Sequence, residues 1–504
     1  MNWFKSPPPP PPPPPQKDNS LLFLIIFILF VYVANKKGWG KYDVKLIKKN
    51  EKDPLDKIIG LESVKDEIKY YMDFIKNKDK YDKWGVKLPK GILLAGPPGT
   101  GKTLLVKALS EKLDIPLITA SGSEFIEMYV GVGAKRVREL FEKAKEEEEC
   151  IIFIDEIDAV GTKRELGSNS ERASTVNQLL TEMDGFEKTH NVIVFAATNL
   201  IKFLDPALTR SGRFDKKVFF DLPNSEEREK LCQLYFENMI LPTTISFSIL
   251  SDRTAGLSGA DIANIANISK INAIQNNNDK NKLTNDNIQN AIDEVMIGRE
   301  KRERIMSPEE RKRVSYHEAG HCLIGFILKY TEQPIKVSII PRGEAALGFS
   351  QQKPINKKLM TEQEILCRIS VLLAGRCAEL IIYNNVSTGA SDDIEKVSTL
   401  ITNYTNSWGM NKEIGPLNPN AMGLLGDKLS SQATKKCKEI INNIEKQTLE
   451  LLKINKKHIE SLAEDLLKNE TINYNRIKSL IPEELENSKE IKLPEVDPKE
   501  EVLL

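Results

Sequence analysis

KGILLAGPPGTGKT, residues 90–103, decides the fold of this chain. A short apolar run leads straight into a glycine-rich loop. The loop opens a segment of helical periodicity, TLLVKALSEKL, and the order strand, loop, helix is that of a phosphate-binding loop. Gly96, Pro97, Pro98, Gly99, Thr100, Gly101, Lys102 and Thr103 form it. The glycines let backbone N–H groups close around phosphate oxygens, Lys102 neutralises β and γ oxygens, and the Thr103 hydroxyl is suited to magnesium. ATP with Mg2+ is the expected cofactor.

Downstream, IIFIDEIDAV (151–160) is an apolar run that ends in carboxylates. This pattern suits a central parallel strand with functional groups at its C-terminal edge. Asp155 is expected to hold magnesium and Glu156 to polarise the attacking water. A third buried strand, NVIVFAAT (191–198), delivers Asn199 to the same edge, where an amide can orient water near the γ-phosphate.

A second chemistry lies in RVSYHEAGHCLIGFIL (313–328), which has helical periodicity. His317 and His321 are four residues apart, so both imidazoles leave one face of the helix and converge on one metal. Glu318 beside them is placed as the general base for a zinc-activated water. A catalytic zinc needs a third protein ligand. The extension HExxHxxGxxH does not supply it, because Ile324 and Ile327 occupy its glycine and histidine places. Further along, STGASDDI (387–394) offers Asp392 and Asp393 at a helix N-terminus, where plain helix capping is the alternative role.

The 504 residues suffice for two or three domains. Lys plus Arg and Asp plus Glu are equal at 72 each, so no global field points to nucleic acid. The six cysteines are scattered without a CxxC pair, which suits a reducing compartment and argues against a sulfur-ligated metal. Residues 1–20 include an uninterrupted proline run at 7–15, stiff polyproline II in character. Residues 21–34 (LLFLIIFILFVYVA) are wholly apolar and as a helix cover about 21 Å, short of the ~30 Å hydrocarbon layer. A buried core helix and a cleaved signal peptide are the competing readings. A single membrane anchor extended by snorkelling Lys17, Lys36 and Lys37 is the one adopted. Lysines crowd the basic segment 35–52, so the remainder is expected on the cytosolic, ATP-containing side.

These elements resemble the AAA+ ATPases, and LDPALTRSGRFDKKVFFDLP (204–223) resembles their second region of homology. The resemblance implies that Arg210 and Arg213 act as arginine fingers on a neighbouring subunit's ATP, hence a homo-oligomeric ring, usually a hexamer. It puts Ile59 and Gly60 where adenine packs, Gly259 and Ala260 in the helical lid near the nucleotide, and Tyr129, Val130 and Gly131 in a pore loop that grips substrate. Phenylalanine is common where this chain has Tyr129; the flat ring is kept.

With HEAGH, IIPRGEAALGF, LAGRCAELIIY and STGASDDI in the same order, the chain resembles more narrowly the FtsH family of membrane-bound AAA+ zinc metalloproteases. The resemblance implies zinc on His317, His321 and Asp393, with Glu318 catalytic and Glu379 beside the metal. The implied fold is an α/β P-loop AAA+ core (53–225), an α-helical lid (226–300), a mainly α-helical zinc metalloprotease domain (301–481) and one N-terminal transmembrane helix. Gly298 falls between lid and protease. Residues 482–504 are expected to be a charged, disordered tail. The implied partners are unfolded or membrane proteins as substrates and a lipid bilayer. A non-proteolytic remodelling chaperone and an anchored scaffold are the rival readings, disfavoured by the intact HEAGH and the full nucleotide motif.

Overall fold

The computed structural model describes residues 44–45, 53–77, 80–81, 83–86, 90–127, 131–147, 149–162, 170–185, 191–276, 281–301, 303, 306–343, 347–353, 359–418 and 426–493. They form two compact units that divide between Asp221 and Leu222. No described helix is long and apolar enough to cross a membrane. The apolar stretch at 21–34 and the proline run lie outside the described residues, as do Tyr129 and Val130.

The first unit is built on a six-stranded sheet of order β1-β3-β4-β5-β2-β6. Its strands are β1 (Val44–Lys45), β2 (Gly91–Ala95), β3 (Leu117–Ser121), β4 (Glu149–Asp155), β5 (Asn191–Thr198) and β6 (Lys216–Phe219). All neighbours are parallel except β1 and β3, where Val44 pairs with Ile118 in an antiparallel edge. The segment expected as a basic linker therefore contributes to the sheet.

Side chains alternate across a strand, and the two faces bury different residues. Ile92, Leu94, Ile151, Phe153, Ile193 and Phe195 share one cluster with α1 (Glu62–Lys76) and α2 (Lys102–Leu113). Leu93, Ile152, Ile154, Val194 and Ala196 face the other, where α3 (Val132–Lys145), α4 (Asp158–Gly161) and α5 (Ser170–Asp184) lie. Burial on both faces explains why these strands read as continuous apolar runs. The neighbouring strands β4, β5 and β2 end at Asp155, Thr198 and Ala95, which brings three functional loops to one sheet edge.

The second unit begins with four helices, α6 (Ser225–Tyr235), α7 (Phe247–Arg253), α8 (Gly259–Gln275) and α9 (Asn285–Met296). Capping boxes start three of them, at Asn224, Ser258 and Thr284. Then come α10 (Pro308–Ile327), β7 (Pro334–Ser338), β8 (Phe349–Gln352), α11 (Glu362–Tyr383), α12 (Ser391–Asn406), α13 (Gly426–Ile454), α14 (Lys456–Asn469), β9 (Thr471–Asn473) and α15 (Tyr474–Leu480). Strands β8, β7 and β9 form a small antiparallel sheet.

The four-helix segment and the region after it belong to one compact unit. The fully buried Asp293 carboxylate of α9 contacts Lys336 of β7 and lies 3.4 Å from Arg342, which pairs with Glu300 at 2.6 Å. Gly298, at φ +108°, would place a Cβ 2.8 Å from Gly343 Cα, so these two backbone turns touch.

The expectation of disorder fails for residues 482–493. A short 3-10 turn at Glu483–Leu485 leads to a backbone ladder on the end of α10, where Asn487 N donates to Phe326 O and Lys489 N to Ile327 O. Ile491 is fully buried, worth about 1.5–3 kcal/mol. That burial offsets the entropy of ordering a charged segment.

Candidate functional site

The phosphate loop follows β2 directly. Gly96 N donates to Thr198 O of β5 at 3.2 Å, and a Cβ on Gly96 would lie 2.2 Å from Phe220 O, so only glycine fits between these backbones. Gly99 and Gly101 have φ of +72° and +94°. Helix α2 starts at Gly101 without a side-chain cap, which leaves its first N–H groups facing outward for an anion. Thr100 Oγ1 donates to Pro97 O at 2.8 Å, while Pro97 and Pro98 are exposed.

Lys102 donates to Gly96 O, Pro97 O and Asn199 Oδ1, each at 2.8 Å. Burial lowers its pKa, against the pull of Asp155 and Asp158. Thr103 Oγ1 donates to Asp155 Oδ2 at 2.9 Å, which puts a hydroxyl and a carboxylate together as hard oxygen donors for magnesium. Glu156 is exposed at φ +50°, with its N–H on Asp155 Oδ1. Gly122 packs against its carbonyl, since a Cβ there would fall 2.3 Å from Glu156 O.

Ile59 and the buried Gly60, φ +74°, form the turn before α1. Leu61 beside them lies 4.0 Å from the position a Gly101 Cβ would occupy, so this turn borders the phosphate loop. Arg210 is exposed. Arg213 is engaged, with Nη2 and Nε on Asp184 at 2.7 and 3.0 Å and Nη1 on Ala207 O at 2.8 Å. Gly131, φ +82°, opens α3, and its N–H donates to Glu171 at 2.8 Å. Gly259 and Ala260 begin α8 in the second unit.

The metal site is assembled from three helices. Ser307 caps α10 through a capping box with Glu310, and Pro308 stands at its first turn. On its buried face His317 Nε2 and His321 Nε2 lie 3.0 Å apart. Asp393 Oδ2, from the first turn of α12, lies 3.4 and 3.2 Å from them. Adjacent Asp392 is exposed, so the ambiguity between the two aspartates resolves to Asp393.

His321 Nδ1 donates to Val371 O at 2.7 Å and His317 Nδ1 to Glu379 Oε1 at 2.9 Å. Each imidazole thus turns its Nε2 lone pair inward. Two lone pairs and a carboxylate at this separation repel one another unless a cation sits among them. Ligand bonds of about 2.0–2.2 Å around tetrahedral zinc imply edges of about 3.3–3.6 Å, and the three donor atoms, 3.0, 3.2 and 3.4 Å apart, come within a few tenths of an ångström of that triangle. The residues present fit zinc.

Glu318 is buried, which pushes its carboxyl pKa up against the opposing pull of His321 and His317. A Cβ on Gly348, just before β8, would lie 2.8 Å from Glu318 Oε1, so the base abuts open backbone. Glu379 of α11 is 1% exposed and accepts from His317 Nδ1, Ser387 Oγ, Ser387 N and Arg313 Nη1 at 2.9–3.0 Å. Burial alone would raise its pKa; these hydrogen bonds outweigh it and hold the group at about 2.

Three residues here lie within the quoted sequence segments but carry no role that the sequence reveals. Ser387 ties Glu379 to the turn at Thr388–Ala390 that leads into α12 and Asp393. Arg313 holds the far oxygen of Glu379. Gly375 of α11 faces the imidazoles, and a Cβ there would sit 2.5 Å from both Nε2 atoms. Its one signal is a glycine inside the otherwise helical run LAGRCAEL.

Comparison with known proteins bears on both sites. Residues 92–222 match the ATPase family associated with various cellular activities (AAA), and residues 304–480 match peptidase family M41. The chain is 42% identical over 82% of its length to the ATP-dependent zinc metalloprotease FtsH of Rhodothermus marinus, covering 61% of that protein. It is 40% identical over 84% of its length to FtsH 4 of Synechocystis, covering 71% of it, and equally similar to FtsH of Acaryochloris marina, covering 68%.

Proposed function

Since the chain belongs to the FtsH family of ATP-dependent zinc metalloproteases, we propose that it is a membrane-anchored endopeptidase that unfolds, translocates and degrades proteins as a homo-oligomeric ring, a hexamer. The observation that carries this reading is the convergence of His317, His321 and Asp393 on one point in a chain that also brings Thr103 and Asp155 together at a phosphate loop.

In the ATPase cycle, backbone N–H groups of residues 96–103 and Lys102 bind phosphate, and Thr103 and Asp155 hold magnesium. Glu156 and Asn199 orient the attacking water. Ile59 and Gly60 take the adenine, and Gly259 and Ala260 are the nucleotide residues of the lid. Arg210 reaches a neighbouring copy's ATP, and Arg213 joins it by exchanging the Asp184 carboxylate for phosphate. The loop of Tyr129, Val130 and Gly131 grips the extended substrate.

In proteolysis, His317, His321 and Asp393 would hold zinc, which would supply Lewis acidity at the site. Glu318 accepts the proton of the attacking water and passes it to the leaving amine. Burial, by raising the Glu318 pKa, makes the carboxylate a stronger base. The chain is anchored once through residues 21–34, with both units on the cytosolic, ATP-containing side, and it takes unfolded or membrane proteins as substrates without nucleic acid.

Glu318→Gln keeps the size of the side chain and removes the base. It is expected to lower peptide cleavage about 10²–10⁴-fold while zinc content and ATP turnover stay at wild-type levels. Undiminished cleavage would remove Glu318 from the mechanism. Absence of zinc from the wild type would favour a remodelling chaperone instead.

A further inference from the structure

We infer that Arg313 is a positioning residue for the zinc site: it fixes Glu379, and through Glu379 it fixes His317. The inference rests on the zinc reading above.

Arg313 and His317 are four residues apart on α10, so both side chains leave the same stripe of the helix. They meet opposite oxygens of one carboxylate, Arg313 Nη1 on Glu379 Oε2 and His317 Nδ1 on Glu379 Oε1, both at 2.9 Å. Ser387 adds one donor to each oxygen. Four donors on two oxygens leave the carboxylate a single orientation.

The guanidinium is itself held on three sides. Nη2 donates to Asn385 Oδ1 at 2.9 Å, and the group lies over the Tyr383 ring, 4.5 Å from its centroid. Tyr383 is held in turn edge-to-face against Tyr316. A planar fork can meet the carboxylate, the amide and the ring at once, and a lysine ammonium cannot.

Asn385 and Ser387 lie in the segment between the αL cap Asn384 and the turn into α12. Arg313 therefore touches both routes to the metal, the imidazole of His317 through Glu379 and the Asp393 helix through residues 385–387. An exposed arginine pair would contribute little. Here the carboxylate is 1% exposed, and removing its guanidinium leaves Oε2 with one backbone donor and the imidazole against a carboxylate free to turn.

The test is zinc affinity of the full chain, measured by competition with a chelator of known affinity, with ATP turnover as a control on folding. Arg313→Ala is expected to weaken zinc binding about 10–100-fold, the range for loss of an outer partner of a metal ligand. Arg313→Lys should recover part of that loss, because the charge on Glu379 is kept and the Asn385 contact is not. In a Glu379→Ala background, Arg313→Ala should cost less than about twofold. Should Arg313→Ala fail to fold, Arg313→Gln is read in its place.

Zinc affinity within about twofold of wild type in Arg313→Ala, or the same loss in both backgrounds, overturns the inference alone. A wild-type chain that takes up no zinc overturns the proposed function and this inference together.

Discussion

The two sites of this chain are held by different means. Around the nucleotide loop the constraint is backbone: Gly99 and Gly101 take left-handed conformations, and Gly96 fits where a Cβ would strike Phe220 O. Around the metal the constraint is side chain on side chain. The imidazoles are oriented by Val371 O and Glu379, Glu379 is oriented by Arg313 and Ser387, and Gly375 matters for the volume it leaves empty. A phosphate-binding loop recruits N–H groups that any sequence of the right conformation supplies. A zinc site needs particular atoms at particular distances, so it needs a second layer to aim them.

Three substitutions probe that difference, the first with the largest expected effect. Gly375→Ala inserts a methyl 2.5 Å from both imidazole nitrogens. Zinc is expected to be lost from the purified protein, and cleavage with it, while ATP turnover stays within about twofold of wild type, as for independent sites. Stoichiometric zinc in this variant would mean that the ligand triangle is looser than described.

Gly101→Ala sharpens the comparison from the other side. Position 101 lies at φ +94° with no atom closer than 4.0 Å to a built Cβ, so the substitution tests conformation without a clash. A strained residue costs about 1–3 kcal/mol, read as roughly tenfold weaker ATP binding with zinc content unchanged. Equal ATP affinity would show that the loop tolerates an ordinary residue at this turn.

Asp392→Asn should have the smallest effect. The side chain is exposed and its neighbour Asp393 faces the imidazoles. Zinc affinity and cleavage are expected within about twofold of wild type. A larger loss would mean that the two aspartates share the metal.

The same difference decided what could be read in advance. Strand, loop and helix around residue 96 are contiguous, and the periodicity of β2, β4 and β5 is visible because both faces of each strand are buried. His317, Glu318 and His321 are equally local. Asp393 lies more than seventy residues away; the residue pattern alone leaves Asp392 beside it, the family resemblance implies Asp393, and Asp393 is the one whose carboxylate lies 3.2–3.4 Å from the imidazoles.

Ser387 and Gly375 act across helix contacts, where spacing along the chain carries no signal, and the four-residue spacing of Arg313 and His317 does not reveal the Glu379 carboxylate between them. Two edges were missed for a related reason. The pairing of residues 44–45 with β3 and the docking of residues 482–493 on α10 come from tertiary contacts that override a charged composition.

If the two sites work as one machine, loss of ATP turnover stops proteolysis, and degradation of an unfolded protein by the full chain and by Lys102→Ala reads that coupling. Lys102 contacts the phosphate loop and Asn199, in a different compact unit from the zinc ligands. Lys102→Ala is expected to lose ATP turnover and protein degradation together while retaining stoichiometric zinc. Wild-type degradation by a Lys102→Ala chain that no longer turns over ATP would contradict that coupling.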